Sequence, residues 1–249
     1  MKTFGLIGYK LGYSFSKNFF TEKFEKENLT DYQYINFELD NISLFPSIFD
    51  QYENICGMNC TIPYKQQLLQ YMSEIDDEAK QVGAVNTVKI LHTKEGMRLK
   101  GYNTDVIGFE RSIKPVLTEK HKKALILGTG GASKAIKFVL SKLNIEYISA
   151  SIENELEENE IRYDSIDENI IAEHLIIINA TPLGTFPNVE QCPPIPYHTL
   201  TSNHVLFDLV YNPEETQFMK NGKLNGATVK NGLEMLHGQA IASWEIWNS

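Results

Sequence analysis

The chain has 249 residues, 42% of them hydrophobic and 22% charged, and 23 Lys and Arg against 32 Asp and Glu give a formal charge of −9. Such a composition excludes a disordered or fibrous chain, and the acidic balance argues against nucleic acid, whose binders need a basic face. No apolar run reaches the roughly 20 residues that span a bilayer.

The length suits one large domain or two small ones. The chain opens into a strand-like segment with no signal-peptide pattern. Its three cysteines, Cys56, Cys60 and Cys192, are odd in number and lack ligand spacing. They are expected to be reduced thiols of a soluble, cytoplasmic α/β protein without a metal.

Apolar periodicity alternates between strand and helix nearly throughout. Residues 4–8 are expected as the first strand and 16–28 as a helix, with Phe20 and Phe24 one turn apart on its inner face. A strand is expected at 34–39, a helix at 44–52 with Pro46 near its start, and a strand at 55–59. Residues 65–72 and 76–81 read as helical. Segments 84–92 and 97–102 read as a hairpin turning at Lys94, Glu95 and Gly96.

A second block begins near Asp105. The strand expected at 123–127 runs into Gly128-Thr129-Gly130-Gly131-Ala132 and then a helix at 132–143, whose stripe is Ala132, Ala135, Ile136, Val139, Leu140 and Leu143. Further strands are expected at 146–149, 174–180, 205–210 and 227–229, and a last helix at 233–247. Runs such as Leu175-Ile176-Ile177-Ile178 are apolar on both faces, as a parallel sheet covered by helices requires. Between Glu153 and Glu168, eight acidic residues surround a single Arg162, and the stretch reads as a solvated edge.

The glycine turn is the strongest local signal. Gly128, Gly130 and Gly131 follow a strand and open a helix, where glycines let the backbone approach a pyrophosphate resting on the helix N-terminus. A selector should follow at the end of the next strand: an acid for the ribose of NAD, or an Arg for the 2′-phosphate of NADP. Ser149-Ala150-Ser151-Ile152-Glu153 offers neither in place, and Arg162 comes later among carboxylates. In the first half, short polar clusters stand at strand ends: Ser14 and Ser16, residues 59–65, Asn86-Thr87, and Asn103-Thr104-Asp105. Each alone has a structural explanation, Ser16 as a helix cap among them. Together they place donors, acceptors, Lys65 and Asp105 where open α/β sheets bind ligands.

These motifs resemble the shikimate dehydrogenase family, collinearly from Gly5 to Gln239. The most specific are Asn59-x-Thr61-x-Pro63-x-Lys65 and Gly101-x-Asn103-Thr104-Asp105. Gly83-Ala84-Val85-Asn86-Thr87, the glycine turn, Asn179-Ala180-Thr181-Pro182-Leu183-Gly184, Asp208-Leu209-Val210-Tyr211 and Asn231-Gly232-Leu233 followed by Gln239 accompany them.

The resemblance implies an N-terminal mixed α/β substrate domain over residues 1–104, completed by a C-terminal helix at 229–249. It also implies a Rossmann-like dinucleotide-binding domain over 105–228, with a cleft between the two. It implies reversible NADP-linked reduction of 3-dehydroshikimate to shikimate, in aromatic amino acid biosynthesis, with Lys65 and Asp105 as the catalytic proton-transfer pair. Ser14 and Ser16 would hold the substrate carboxylate. Thr61, Asn86 and Gln239 would contact hydroxyls together with Lys65 and Asp105, Tyr211 would lie nearby, and Asn59 would support its strand end. On the cofactor side, Gly128, Thr129, Gly130, Gly131 and Ala132 would cradle the pyrophosphate, Thr181, Leu209 and Gly232 would line the nicotinamide, and Asp77 would add a contact. The implied partners are thus a small-molecule substrate and a nicotinamide cofactor, with neither nucleic acid nor membrane.

The chain departs from the family pattern in places. Tyr13 and Lys17 replace the usual His and Pro around the first serines, Thr185 replaces a Met, and the usual Asn-Arg-Thr after the second dinucleotide strand is absent. The last departure leaves NAD open beside NADP. Two other readings stay in view: a quinate/shikimate dehydrogenase with relaxed cofactor use, and a non-catalytic ligand-binding relative.

Overall fold

The computed structural model describes every residue except Tyr13, Glu95 and Asn154. The backbone divides into two compact units, Met1–Thr104 with Gln239–Ser249, and Asp105–Gly238.

In the first unit, β1 (Lys2–Gly8) leads to α1 (Phe15–Lys26), then β2 (Tyr32–Glu38), α2 (Ile48–Gln51), β3 (Ile55–Cys60), β4 (Glu74–Ile75), α3 (Asp77–Val82), β5 (Thr87–Thr93) and β6 (Gly96–Tyr102). The sheet order is β2-β1-β3-β5-β6-β4. β1 pairs parallel with β2 and β3, whereas β5 runs antiparallel to β3 and β6, so the sheet is mixed. The expected hairpin is therefore present, although Glu95 at its turn lies outside the described residues.

Two apolar clusters hold this sheet. One gathers Ile7, Phe37, Phe45, Met58, Leu68 and Val88. The other sets Phe20 and Phe24 of α1 against Phe4, Tyr34 and Trp247. Gly57 is required there, because a Cβ at that position would overlap the Trp247 indole. The indole Nε1 also donates to the Val88 carbonyl at 3.0 Å.

The second unit runs α4 (Thr104–Ile113, starting at the last residue of the first unit), β7 (Lys123–Leu127), α5 (Gly131–Lys142), β8 (Glu146–Ser151), β9 (Glu160–Arg162), α6 (Glu168–Glu173), β10 (Ile176–Asn179), β11 (Val205–Asp208), α7 (Gln217–Leu224), β12 (Thr228–Lys230) and the start of α8 (Leu233–Asn248). Its sheet order is β12-β11-β10-β7-β8-β9, and every pairing is parallel. Chain order reverses direction between β7 and β10, which makes that gap the topological switch point of a doubly wound sheet. One face packs Leu125, Leu127, Ala150, Ile177 and Leu206 against Ile171 of α6 and Phe218 of α7. α5 buries Ala135, Ile136, Val139 and Leu140 as its stripe requires, while Ala132 and Leu143 at its ends are half-buried.

Several expectations are corrected. The helix expected at 44–52 is a 3-10 turn, Ile42–Ser47, followed by the single turn of α2. Asn41 caps it early, and Pro46 brings no N–H to continue an α-helical ladder. Residues 65–72 likewise yield only a 3-10 turn, Gln67–Tyr71. Ser14, not Ser16, caps α1, its Oγ accepting from Lys17 N at 3.1 Å. The acidic stretch is not merely a solvated edge, since it contains β9, whose Ile161 packs on the core. Finally, the return to the first unit comes at Gln239 within α8, not at residue 229, because β12 is hydrogen-bonded to β11 as the sixth strand. Among the described residues no helix is long and apolar enough to cross a membrane.

Candidate active site

In the first unit, backbone bonds draw the polar clusters to neighbouring strand ends. Thr61 N donates to Ile7 O at 2.9 Å, Cys60 N to Asn86 O at 2.8 Å, Val85 N to Lys65 O at 2.8 Å and Asn86 N to Tyr102 O at 3.0 Å. Thr61, Lys65 and Asn86 are thereby fixed to one another through main chain. Both Thr61 and Lys65 are half-buried, whereas Asn86 is buried. Gly8 lets this cluster close, since a Cβ there would lie 2.8 Å from Thr61 Cγ2.

Beneath these residues runs a buried polar network that sequence reading does not show. Ser243 Oγ lies 2.8 Å from both Thr87 Oγ1 and Asn59 Nδ2 and 3.2 Å from Thr104 Oγ1, and donates to Gln239 O at 2.9 Å. Asn59 Oδ1 accepts from the Tyr34 hydroxyl at 2.9 Å, so Asn59 does support its strand end. Burial holds the Tyr34 phenol far above the ordinary range, with Ser16 opposing the rise. The chain Tyr34–Asn59–Ser243–Gln239 therefore ties one expected substrate residue, Gln239, to the scaffold through its main-chain carbonyl. A polar chain with every member bonded is rigid, because each unmade bond in the interior is expensive. Tyr34 and Ser243 look like ordinary strand and helix residues in sequence, and only tertiary packing reveals them.

Asn86 has a structural use of its own. Its Oδ1 accepts from Thr104 N at 2.7 Å and Thr104 Oγ1 at 3.1 Å, which fixes the start of α4. The Nδ2 of Asn86 has no partner among the described residues and stays able to donate to a ligand. Asp105 follows Thr104 directly, in the first turn of α4, half-buried. Ser14 and Ser16 are both 8% exposed. Tyr13 lies outside the described residues, and Lys17 is exposed.

The second unit assembles a different set, at the C-terminal ends of β7, β10 and β11. Gly128 has φ +101°, and a Cβ there would lie 2.9 Å from Thr181 Cγ2, so the turn after β7 abuts the end of β10 across the switch point. Around Gly130 and Gly131 an added Cβ would meet nothing within 4 Å, which leaves open space over the N-terminus of α5. The N-cap of that terminus is Gly130, which has no side chain to cap it. Unfilled space beside uncapped helix N–H groups is what a pyrophosphate requires, so the residues present fit a dinucleotide.

Asn179 locks the neighbouring strand end. Its Oδ1 accepts from Thr181 N at 3.1 Å and Thr181 Oγ1 at 2.6 Å, and its Nδ2 donates to Asp208 Oδ1 at 2.9 Å. Asp208 is fully buried and also accepts from Val210 N at 3.0 Å and Thr216 Oγ1 at 2.5 Å. Burial pushes its carboxyl up to about 6, with those three donors opposing the rise. Leu209 N donates to Asn179 O at 3.0 Å, and Gly232 lies so close to Leu209 that a Cβ would be 2.8 Å from its carbonyl carbon. The unit thus brings together Gly128, Thr181, Leu209 and Gly232, with Thr129 and Ala132 in the same turn. Tyr211 is half-buried just beyond Val210, and Thr185 is exposed in the turn after β10. Asp77 is exposed on α3 of the first unit and paired with Lys80 at 3.1 Å.

A family model described as the shikimate dehydrogenase substrate binding domain matches residues 6–88. The shikimate dehydrogenase (NADP+) of Methanosphaera stadtmanae is 38% identical over 98% of this chain and 90% of its own. A solved chorismate mutase/shikimate 5-dehydrogenase fusion protein from Clostridium acetobutylicum is 34% identical, with a TM-score of 0.84 over 100% of this chain and 91% of that one. A crystal structure of shikimate dehydrogenase in complex with NADP+ is 32% identical, with a TM-score of 0.86 over 99% and 90%.

Proposed function

The chain belongs to the shikimate dehydrogenase family, and we propose that it catalyses the reversible NADP-linked reduction of 3-dehydroshikimate to shikimate. The observation that carries this reading is the gathering of Thr61, Lys65, Asn86 and Gln239 on one hydrogen-bonded scaffold in the unit that the substrate-domain model matches. Such a set of mixed donors and acceptors suits a small polyhydroxylated acid. Ser14 and Ser16 hydroxyls would bind its carboxylate. One negative charge needs no Arg when neutral donors and a helix N-terminus share it.

When bound, NADPH supplies the hydride for the ketone carbon. The protein's task is placement and proton traffic. Reduction of a ketone leaves an alkoxide, and the Lys65 ammonium is assigned to protonate it and, in the oxidative direction, to take the proton back as an amine. Asp105 is assigned to orient Lys65 and a substrate hydroxyl, from a backbone position that Asn86 secures through Thr104. Thr61, Asn86 and Gln239 would fix the ring so that one oxygen faces Lys65. In the second unit, the glycine turn would hold the pyrophosphate, with Thr181, Leu209 and Gly232 on the nicotinamide side. Cys56, Cys60 and Cys192 are all unbridged, which supports a reducing, cytoplasmic setting.

The test is nicotinamide absorbance with purified protein, shikimate or quinate as substrate, and NADP or NAD as oxidant. Shikimate with NADP is expected to give the highest kcat/KM. Lys65→Ala and Asp105→Asn are each expected to lower turnover at saturating substrate by about 10²–10⁴-fold. Near-normal turnover of either variant removes that residue from the mechanism. Preferred oxidation of quinate would transfer the chain to the quinate reading, and absence of turnover with every pair would leave a binding protein.

A further inference from the structure

The end of the second dinucleotide strand, where a nucleotide's ribose is selected, carries Ile152 and Glu153 instead of a cation. The fold brings one in from the adjacent strand. Parallel pairing sets Ser149 opposite Glu160, Ala150 opposite Ile161 and Ser151 opposite Arg162. Side chains alternate faces along a strand, and Ala150 and Ile161 both join the core under α6 and α7. Ser151, Glu160 and Arg162 therefore occupy the other face, which α5 covers. Two contacts agree: Glu160 Oε1 meets Lys137 of α5 at 3.4 Å, and Ser151 Oγ lies 3.5 Å from Thr129 Oγ1 in the glycine turn.

Arg162 is thus one pleat beyond Glu160, beside Ser151, at the strand end that faces the turn. Its Nη1 donates to Glu153 O at 3.5 Å, which places the guanidinium over the first residues past β8. Its side chain is exposed, and among the described residues no carboxylate lies within 4.0 Å of it. The acid two residues back on its own face, Glu160, is occupied by Lys137 and by Glu157 N at 3.3 Å. An arginine with spare donors, beside two hydroxyls and one strand from a pyrophosphate turn, suits a dianionic phosphate on the ribose.

We propose that Arg162, reaching from β9 to the end of β8, is the residue that selects the 2′-phosphate of NADP in this chain. The proposal rests on the reading that a nicotinamide dinucleotide binds at the Gly128 turn. Two features follow from its origin on a neighbouring strand. The cation is separated from the glycine turn by Ser151 rather than following it in sequence, and its charge stands alone in an acidic stretch, so that phosphate is attracted only within about a Debye length.

Equilibrium binding of NADPH and of NADH, read from nicotinamide fluorescence without substrate, tests this directly. Arg162→Gln is expected to weaken NADPH about 10–100-fold, the loss of a charge-assisted pair, and to leave NADH within about twofold. Arg162→Lys should fall between, and adding Ile152→Arg to Arg162→Gln should restore NADPH by returning a cation to the same strand end. The unmodified protein's NADPH affinity should fall with salt, and that of Arg162→Gln should fall less. Equal weakening of both nucleotides, or no change in NADPH, overturns the proposal while leaving dinucleotide binding intact. Preference of the unmodified protein for NADH overturns it as well. Failure of both nucleotides to bind the unmodified protein refutes the cofactor reading on which it stands.

Discussion

Asp208 makes stability depend on pH in a direction opposite to that of most acidic groups. Its carboxyl is fully buried and raised from 3.8 to about 6. A carboxyl raised on folding contributes stability that is complete below the unfolded value, near 3.8, and is lost as pH climbs through about 6. The displacement corresponds to about 2 kcal/mol between pH 4 and neutrality. Asp208→Asn removes the titration while keeping the shape. Asn Oδ1 can still accept from Asn179 Nδ2 and Val210 N, and the new Nδ2 would face Thr216 Oγ1, whose hydroxyl can turn to accept. The variant's stability relative to the unmodified protein should therefore rise by about 2 kcal/mol from pH 4 to pH 7. Both tryptophans, Trp244 and Trp247, lie in the first unit, so indole fluorescence does not report on Asp208 directly. Native-state hydrogen exchange at the amides of β10 and β11 reports it. A difference between the two proteins that stays constant across this range would show that the three donors outweigh desolvation and that Asp208 keeps an ordinary acidity.

Trp247→Ala should cost the first unit about 3–5 kcal/mol, since it empties the space between Gly57, Phe4 and Phe20. A urea midpoint followed through Trp244 measures this, and a loss below about 1 kcal/mol would mean that the site collapses to fill itself. Gly128→Ala forces a Cβ into a backbone at φ +101° and to 2.9 Å from Thr181. The strain, about 1–3 kcal/mol, should appear chiefly as NADPH affinity lowered roughly tenfold or more, with the far-UV spectrum unchanged.

The sequence discloses elements in proportion to their length and amphipathicity. Ala135, Ile136, Val139 and Leu140 define α5 because a helix of that length repeats its stripe three times. β10 is legible because a strand covered on both faces is apolar throughout until its last residue, Asn179. β4 and β9, of two and three residues, are too short to show a period at all. In β9 the one apolar residue, Ile161, sits between Glu160 and Arg162, and the surrounding charges dominate any local reading. The 3-10 turn at Ile42–Ser47 differs again. Its apolar spacing suits a helix, and Asn41 with Pro46 decides which kind.

Site residues divide in the same way. Lys65, Asn86, Asp105 and the glycines stand in motifs of fixed local spacing, so the chain order displays them. What positions them comes from far along the chain: Asn59 meets Ser243 across 184 residues, and no local pattern encodes that pairing. Arg162 shows how little separates the two cases. Its residue type and number are plain in the sequence, but its meaning depends on which face of β9 it occupies. A shift of one residue in the β8–β9 register would turn Arg162 toward α6 and α7 and bring Ile161 out over α5. Burying Ile161 beside Ala150 and Ile148 forbids that shift, since it would expose an isoleucine and carry a guanidinium into an apolar core. The placement of the cation is thus decided by the hydrophobic residue next to it, and a change at Ile161 should disturb NADPH selection without touching any polar group.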